Sequence, residues 1–362
     1  MRGVLHFTTP PFLFAGVSVY YQHSYNRKSM NQAIETVLKL VSQQQKFVLT
    51  SHVFPDGDAI GSEVALAEWL IAQEKNVSVI NCSSTPPMYM FIDPNHRIRQ
   101  FSEQRDLKDI AEADVIILLD ANTIDRVRSM KPYVQASKAI KVCIDHHLNP
   151  SPFADHYVID DQATSTGEIL YRLVTGATGP PLPSLIASAL YCAIMTDTGS
   201  FRYPRVDAEI HRIVARLIEW GADPVEIYSN TYEQWSPGRI HLLGEILSNL
   251  KIEYGGRLAH ITITQEMLKR TGTTPEDTDN FTTYPMTLEG VVVGVLFLEL
   301  ANGIKASFRS KGELSVSQLA GAFGGGGHQH AAGTRISDAE LEPTRRRILD
   351  AAPHHIAGLI PA

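Results

Sequence analysis

Cysteine is scarce in this chain of 362 residues: Cys82, Cys143 and Cys192 are scattered, and no CxxC pair occurs. Each thiol sits among apolar or small neighbours, as buried reduced thiols of a cytosolic protein do. Positive charge is also in deficit. Lys and Arg number 32 against 39 Asp and Glu, a formal net charge of −7. That balance argues against a protein that coats duplex DNA with a broad basic surface. It leaves room for a short anionic ligand held by a few local cations. After the first thirty residues no apolar run reaches the length of about 18 residues that a spanning helix needs, so no membrane role is expected. Residues 3–26 contain no Lys, Arg, Asp or Glu. Pro10, Pro11 and the lack of a small-x-small cleavage site argue against a signal peptide there. Met30 directly precedes an amphipathic helix, so residues 1–29 are expected to be an extension, either disordered or the product of a misplaced start.

What is present is a βα alternation. Residues 31–45 carry Ile34, Val37, Leu38 and Val41 on one helical face. Buried strands are expected at 46–52, 77–82, 113–120 and 138–145, with helices at 61–74, 184–199 and 208–223. Strands alternating with helices imply a parallel sheet. Residues 231–250 look like a connecting helix. From 251 to 362 the pattern turns β-rich, with strands at 257–264, 290–300 and 303–310 and a helix at 314–323. The expected architecture is α/β throughout: a parallel-sheet domain over 30–230 with flanking helices, and a smaller α/β domain over 251–362.

Acids and histidines gather at the ends of these strands. His52, Asp56 and Asp58 follow FVLT; Asp120 ends VIILLD; Asp145, His146 and His147 close VCID; Asp197 follows a helical run. In an open parallel sheet the carboxyl ends of the strands meet at one crevice. Side by side, these runs collect His52, Asp56, Asp58, Asp120, His146 and Asp197. So many carboxylates repel one another unless cations neutralise them. An imidazole with carboxylates suits Mn²⁺, with Mg²⁺, Co²⁺ or Zn²⁺ as substitutes, better than an all-oxygen Ca²⁺ cage. Each segment alone has a plainer explanation. Asp58 can cap the next helix, Asp120 can cap a helix or lie in a solvated loop, and residues 145–147 can be a surface charge cluster. Asp197 can close a helical turn. Taken together, Asp120 is the candidate bridge between two cations, His147 a phosphate contact or proton donor, and Asp145 the group that orients an imidazole. Arg309 and Ser310 end a strand. With the amides of Gly325, Gly326 and Gly327 and with His328, they are candidates for holding a phosphate or terminal nucleotide, although a lone glycine run also suits a flexible linker.

The motifs HVFPDGDAIGS, Asp145-His146-His147 and GGGHQHAAG (325–333), in that order, resemble the DHH/DHHA1 phosphoesterase family over about residues 31–340. Within it, the length and two-domain plan are similar to the nano-RNase/pAp phosphatases (NrnA-like). The resemblance implies an active site in the interdomain cleft and two Mn²⁺. His52, Asp56 and Asp120 would hold one; Asp58, Asp120, His146 and Asp197 would hold the other, with a shared hydroxide attacking phosphorus. It implies hydrolysis of single-stranded RNA of about two to five nucleotides and of pAp (3′-phosphoadenosine 5′-phosphate) in the cytoplasm, with bases stacked on aromatics. Phe308, Tyr284 and Tyr203 are candidate stacking residues. A homodimer is compatible with the resemblance. The alternatives are a cyclic or linear dinucleotide phosphodiesterase (c-di-AMP or pApA) and, in another class, an inactive nucleotide-binding regulator.

Overall fold

The computed structural model describes residues 27–147, 150–327 and 329–359. The chain divides into two compact units after Glu233. In the first unit the chain runs α1 (Arg27–Gln43), β1 (Lys46–Thr50), α2 (Gly57–Ala72), β2 (Asn76–Asn81), β3 (Ile98–Gln100), α3 (Glu103–Glu112) and β4 (Val115–Leu119). It continues through α4 (Lys131–Ala136), β5 (Ile140–Asp145), β6 (His156–Ile159), α5 (Thr166–Thr178), α6 (Ser184–Asp197), α7 (Ala208–Glu219) and α8 (Pro224–Tyr232). The extension expected over 1–29 is shorter at its end, because α1 already begins at Arg27. No Pro or Gly interrupts Arg27 to Met30, so the helix propagates upstream at little cost. Residues 1–26 lie outside the described residues.

The six strands pair in parallel in the order β3-β2-β1-β4-β5-β6. Both faces are covered, which is why β1, β4 and β5 read as unbroken apolar runs. Phe47, Leu49, Ile117 and Ile144 face a core shared with α1, α2, α5 and α6. Val48, Ile116 and Leu118 face a second core with Ile110 of α3 and Val134 of α4. The direction of strand order reverses between β1 and β4. Loops leaving these neighbours part to opposite sides and open a crevice at the carboxyl ends.

The second unit contains α9 (Pro237–Ser248), β7 (Lys251–Glu253), β8 (Leu258–Ile263), α10 (Gln265–Thr271), β9 (Val293–Leu300) and β10 (Gly303–Ser310). It ends with α11 (Ser317–Ala322), β11 (Gly326–Gly327), β12 (Ala331–Ser337) and α12 (Leu341–His355). The segment read as a connecting helix belongs to this unit: Leu242 and Ile246 of α9 are buried against Ile261, Phe281 and Leu296. Its mixed sheet has the order β11-β12-β10-β9-β8-β7, with β8 and β9 parallel and the other pairs antiparallel. α11 and α12 cover one face, supplying Leu319 and Ile348 to a core with Val295, Phe297 and Phe308.

Candidate metal centre

β1 delivers Ser51 and His52 to the crevice, and α2 begins five residues later. Asp56 is the N-cap of α2: its Oδ1 accepts from the amides of Asp58 and Ala59, both at 3.1 Å. The sequence offered Asp58 as the capping residue. The cap falls instead to Asp56, which has the extended backbone an N-cap needs. Asp58 is thereby left in the first turn, fully buried and turned into the crevice. Its carboxylate accepts from the amides of Thr166 (2.7 Å) and Gly167 (2.9 Å), the first turn of α5, and from Ser62 Oγ (3.3 Å).

Asp120 follows β4 directly, in the left-handed region (φ +55°). Acids tolerate that conformation better than bulky residues do, and its amide is tied to the Ile144 carbonyl at 3.1 Å. Asp145 is the last residue of β5 and is fully buried; its Oδ1 accepts from the His146 amide at 2.8 Å and lies 2.7 Å from His147 Nδ1. The imidazole that Asp145 orients is therefore that of His147. Asp197 is the final residue of α6, at the helix end, and its carboxylate faces His146.

These side chains converge. His52 Nε2 lies 3.2 Å from Asp120 Oδ2 and 3.9 Å from Asp56 Oδ1. His146 Nε2 lies 3.3 Å from Asp197 Oδ2, 3.6 Å from Asp120 Oδ1 and 3.8 Å from Asp58 Oδ2. Donor atoms thus form three overlapping groups, His52/Asp56/Asp120, Asp58/His146/Asp197 and Asp120/Asp145/His146/His147, in each of which one atom per residue lies within 4.8 Å of the others. Asp120 presents Oδ2 to His52 and Oδ1 to His146, with His147 Nδ1 also 3.5 Å from Oδ1. Atoms bound about 2.1 Å from a common cation stand ~3–4 Å apart at adjacent vertices, so the spacing fits.

Electrostatics give a second test of fit. His52 Nδ1 faces the Val53 carbonyl at 3.0 Å, so that nitrogen carries the proton and Nε2 turns a lone pair toward two carboxylates. Burial also lowers the His52 pKa, favouring the neutral ring. Burial pushes Asp58 up to about 6, against the pull of His146 and its backbone donors. Asp120 is raised well above the carboxylate range by burial and by Asp58, Asp56, Asp145 and Asp197. Burial, then Asp58 and Asp56, also raise Asp197, although its side chain keeps 35% of its surface open. Lone pairs and crowded carboxylates aimed at common points are what a divalent cation relieves.

Sequence reading missed the support supplied by α5. Thr166 Oγ1 donates to Asp120 Oδ1 at 3.3 Å, and the α5 amides hold Asp58. The signal was there in Ala163-Thr164-Ser165-Thr166-Gly167-Glu168, a Ser-x-x-Glu capping pattern. Ser165 Oγ accepts from the Glu168 amide at 3.0 Å, and Glu168 Oε2 accepts from the Thr164 amide at 2.7 Å.

The second unit holds the other candidates except Tyr203, which belongs to the first. Arg309 lies on β10 opposite Ala331, its Nη1 donating to the Phe308 carbonyl at 3.1 Å; among the described residues no carboxylate lies within the 4.0 Å of an ion pair. Ser310 is buried, and its hydroxyl donates to the Leu314 carbonyl at 2.6 Å, tying a loop. Part of the glycine run, Gly326–Gly327, forms the edge strand β11. Gly326 pairs with Gly333 and Gly327 with Ala332, while the Gly325 amide donates to the Ala320 carbonyl at 2.9 Å. Glycine is required there because a Cβ on Gly325 or Gly327 would collide with the β12 backbone. His328 lies outside the described residues. Of the candidate stacking aromatics, Phe308 is fully buried in the core and Tyr284 packs edge-on against Phe281, while Tyr203 is 52% exposed.

Residues 46–194 match the model of the DHH family, N-terminal domain, and residues 258–354 that of the DHHA1 domain. The chain belongs to the DHH family. It is therefore a hydrolase of phosphate esters, in a family whose members depend on metal ions. Among DHH relatives, the bifunctional oligoribonuclease and PAP phosphatase NrnA of Thermus thermophilus is 28% identical over 87% of this chain and 93% of the relative. An exopolyphosphatase-related protein from Bacteroides fragilis, a solved structure, superposes with a TM-score of 0.85 at 32% identity, covering 89% of this chain and 96% of that one. The cyclic-di-AMP phosphodiesterase PdeA of Listeria monocytogenes is 23% identical, and the match spans 89% of this chain and 49% of that protein. No helix among the described residues is long and apolar enough to cross a membrane.

Proposed function

We propose that this chain hydrolyses short oligoribonucleotides to mononucleotides and removes the 3′-phosphate of pAp to give AMP. The observation that carries the reading is the pairing of two donor groups around one shared acid, Asp120, in a chain similar along most of its length to the Thermus protein. His52, Asp56 and Asp120 would hold one Mn²⁺ and Asp58, Asp120, His146 and Asp197 a second, with Mg²⁺ or Co²⁺ as substitutes. Bound there, divalent cations lower the pKa of water and offset charge on a phosphoryl group. The protein's own part is positioning and proton transfer. Asp145 lies 2.7 Å from His147 Nδ1, and His147 would contact the phosphoryl oxygens or protonate the leaving oxygen. Arg309, which has no acidic partner among the described residues, would contact a phosphate of the substrate.

The test is chromatographic product analysis with Mn²⁺, giving the purified chain pAp, a two-nucleotide RNA, a long RNA and cyclic di-AMP in parallel. AMP from pAp and mononucleotides from the dinucleotide, with the long RNA cut slowly, is the expected result. Preferential cleavage of cyclic di-AMP would replace this reading with that of a dinucleotide phosphodiesterase, the activity named for the Listeria relative. Metal binding without turnover of any of the four would favour a regulator.

A further inference from the structure

Phe54 occupies an unusual position. It is the most exposed of the large apolar side chains among the described residues, at 80%. Its backbone is left-handed, with φ +57°, a region that bulky residues avoid and glycine or asparagine enters easily. Pro55 follows, and a residue before proline is normally driven to extended backbone. Such strain persists only where the surroundings over-determine it. Here they do: the Val53 amide donates to the Arg126 carbonyl at 2.8 Å, and the Phe54 amide donates to Ser83 Oγ at 3.1 Å. The chain is thus pinned at Val53 and Phe54, with Asp56 fixed as the α2 cap just beyond, and an aromatic ring is held in solvent where it contributes nothing to the core.

The location of the ring gives this a use. Phe54 lies two residues from His52 and two from Asp56, in the link between two donors of one group. The Asp56 side chain is 54% exposed, so this link lies on the open side of the centre. From the strained and exposed ring beside an open donor, we infer that Phe54 is a stacking platform for the nucleobase of the nucleotide whose phosphate is cleaved. It would make the enzyme select nucleotides over base-free phosphate esters. Every base presents a π-face, so the selection is for a base and not for one base. The inference rests on the nucleotide-hydrolase reading proposed above.

Wild type, Phe54→Ala and Phe54→Trp would be compared with Mn²⁺ on pAp and on its abasic counterpart, ribose bisphosphate without adenine. The expected result is a fall of roughly tenfold in the preference of Phe54→Ala for pAp over the abasic compound, seen mainly in KM. Phe54→Trp should keep that preference. Equal losses on both substrates, or an unchanged preference, would overturn the stacking role. If wild type turns over neither compound, the proposed function itself has failed, and binding then tests the ring alone. AMP titrated with Mn²⁺ should quench the emission of Phe54→Trp saturably beyond the wild-type change, and an absence of extra quenching would overturn the inference.

Discussion

Single side chains in the first unit carry opposed obligations. Asp56 caps α2 and also presents an oxygen to His52; Asp120 bends through a left-handed backbone to face both histidines. Such placements cost stability when nothing positive is bound, because desolvated carboxylates sit among like charges. Asp120→Asn keeps the shape and removes the charge. It should lower turnover by about a thousandfold or more and reduce the bound Mn²⁺ counted by native mass spectrometry. The metal-free variant should unfold at the same temperature as wild type or higher, since a charge disfavoured by burial has gone. Wild-type turnover in Asp120→Asn would remove it from the shared position. At this scale the sequence was readable wherever an acid or histidine closes an apolar run. It was silent on Thr166, whose role depends on a hydrogen bond to Asp120 across 46 residues, and on Phe54, whose role depends on a backbone torsion.

Among elements, the contact that brings the two donor groups together is the packing of α2 on α6, with α5 alongside. A Cβ built at Gly61 would fall well inside contact distance of the Ala189 carbonyl, and one at Gly167 would meet Ala193. Close approach of α2, α5 and α6 is what places Asp58 and Asp197 on either side of His146. Gly61→Ala should therefore destabilise the chain by about 1–3 kcal/mol, measured by urea unfolding of the metal-free form, and weaken Mn²⁺ binding although it is no donor. Full stability in that variant would show that the helices can part without cost. That α2 and α6 are largely apolar helices is plain in the sequence. Their interhelical distance is not, because a glycine in a helix signals close packing only once its neighbour is known. The glycine run at 324–327 taught the opposite lesson: it suggested a nest, but pairing with β12 consumes part of its hydrogen bonding.

For the molecule as a whole, buried titratable groups set a pH profile. Burial raises Glu63 to about 8 and Asp58 to about 6, and Asp120 and Asp197 are raised as well. Raised acids take up protons in the folded state before the unfolded chain does, so folding is favoured as pH falls through those values. Burial lowers His260 to about 4 and also lowers His52. That stabilisation is lost only as pH falls below about 6.5, where unfolded histidines protonate. Between pH 8 and 6.5 the acids dominate. The metal-free chain should melt higher at pH 6.5 than at pH 8 in differential scanning fluorimetry. Mn²⁺ should raise the midpoint more at pH 8, where the donors are deprotonated. A midpoint that rises with pH in the metal-free chain would contradict the burial of these carboxylates.

Pattern and composition alone determined that the chain is α/β, that strands such as β1, β4 and β5 are buried, and which acids and histidines stand at strand ends. These follow from periodicity and from the order of apolar runs, which are local properties. Tertiary structure decided the rest. The strand order puts the reversal between β1 and β4, the Asp56 cap turns Asp58 inward, and α9 joins the second unit. Phe54 faces solvent and Phe308 the core, though both are phenylalanines beside candidate site residues. The reason is physical: local sequence sets what each segment can bury, whereas the partner that each donor and ring meets is fixed by packing between distant segments.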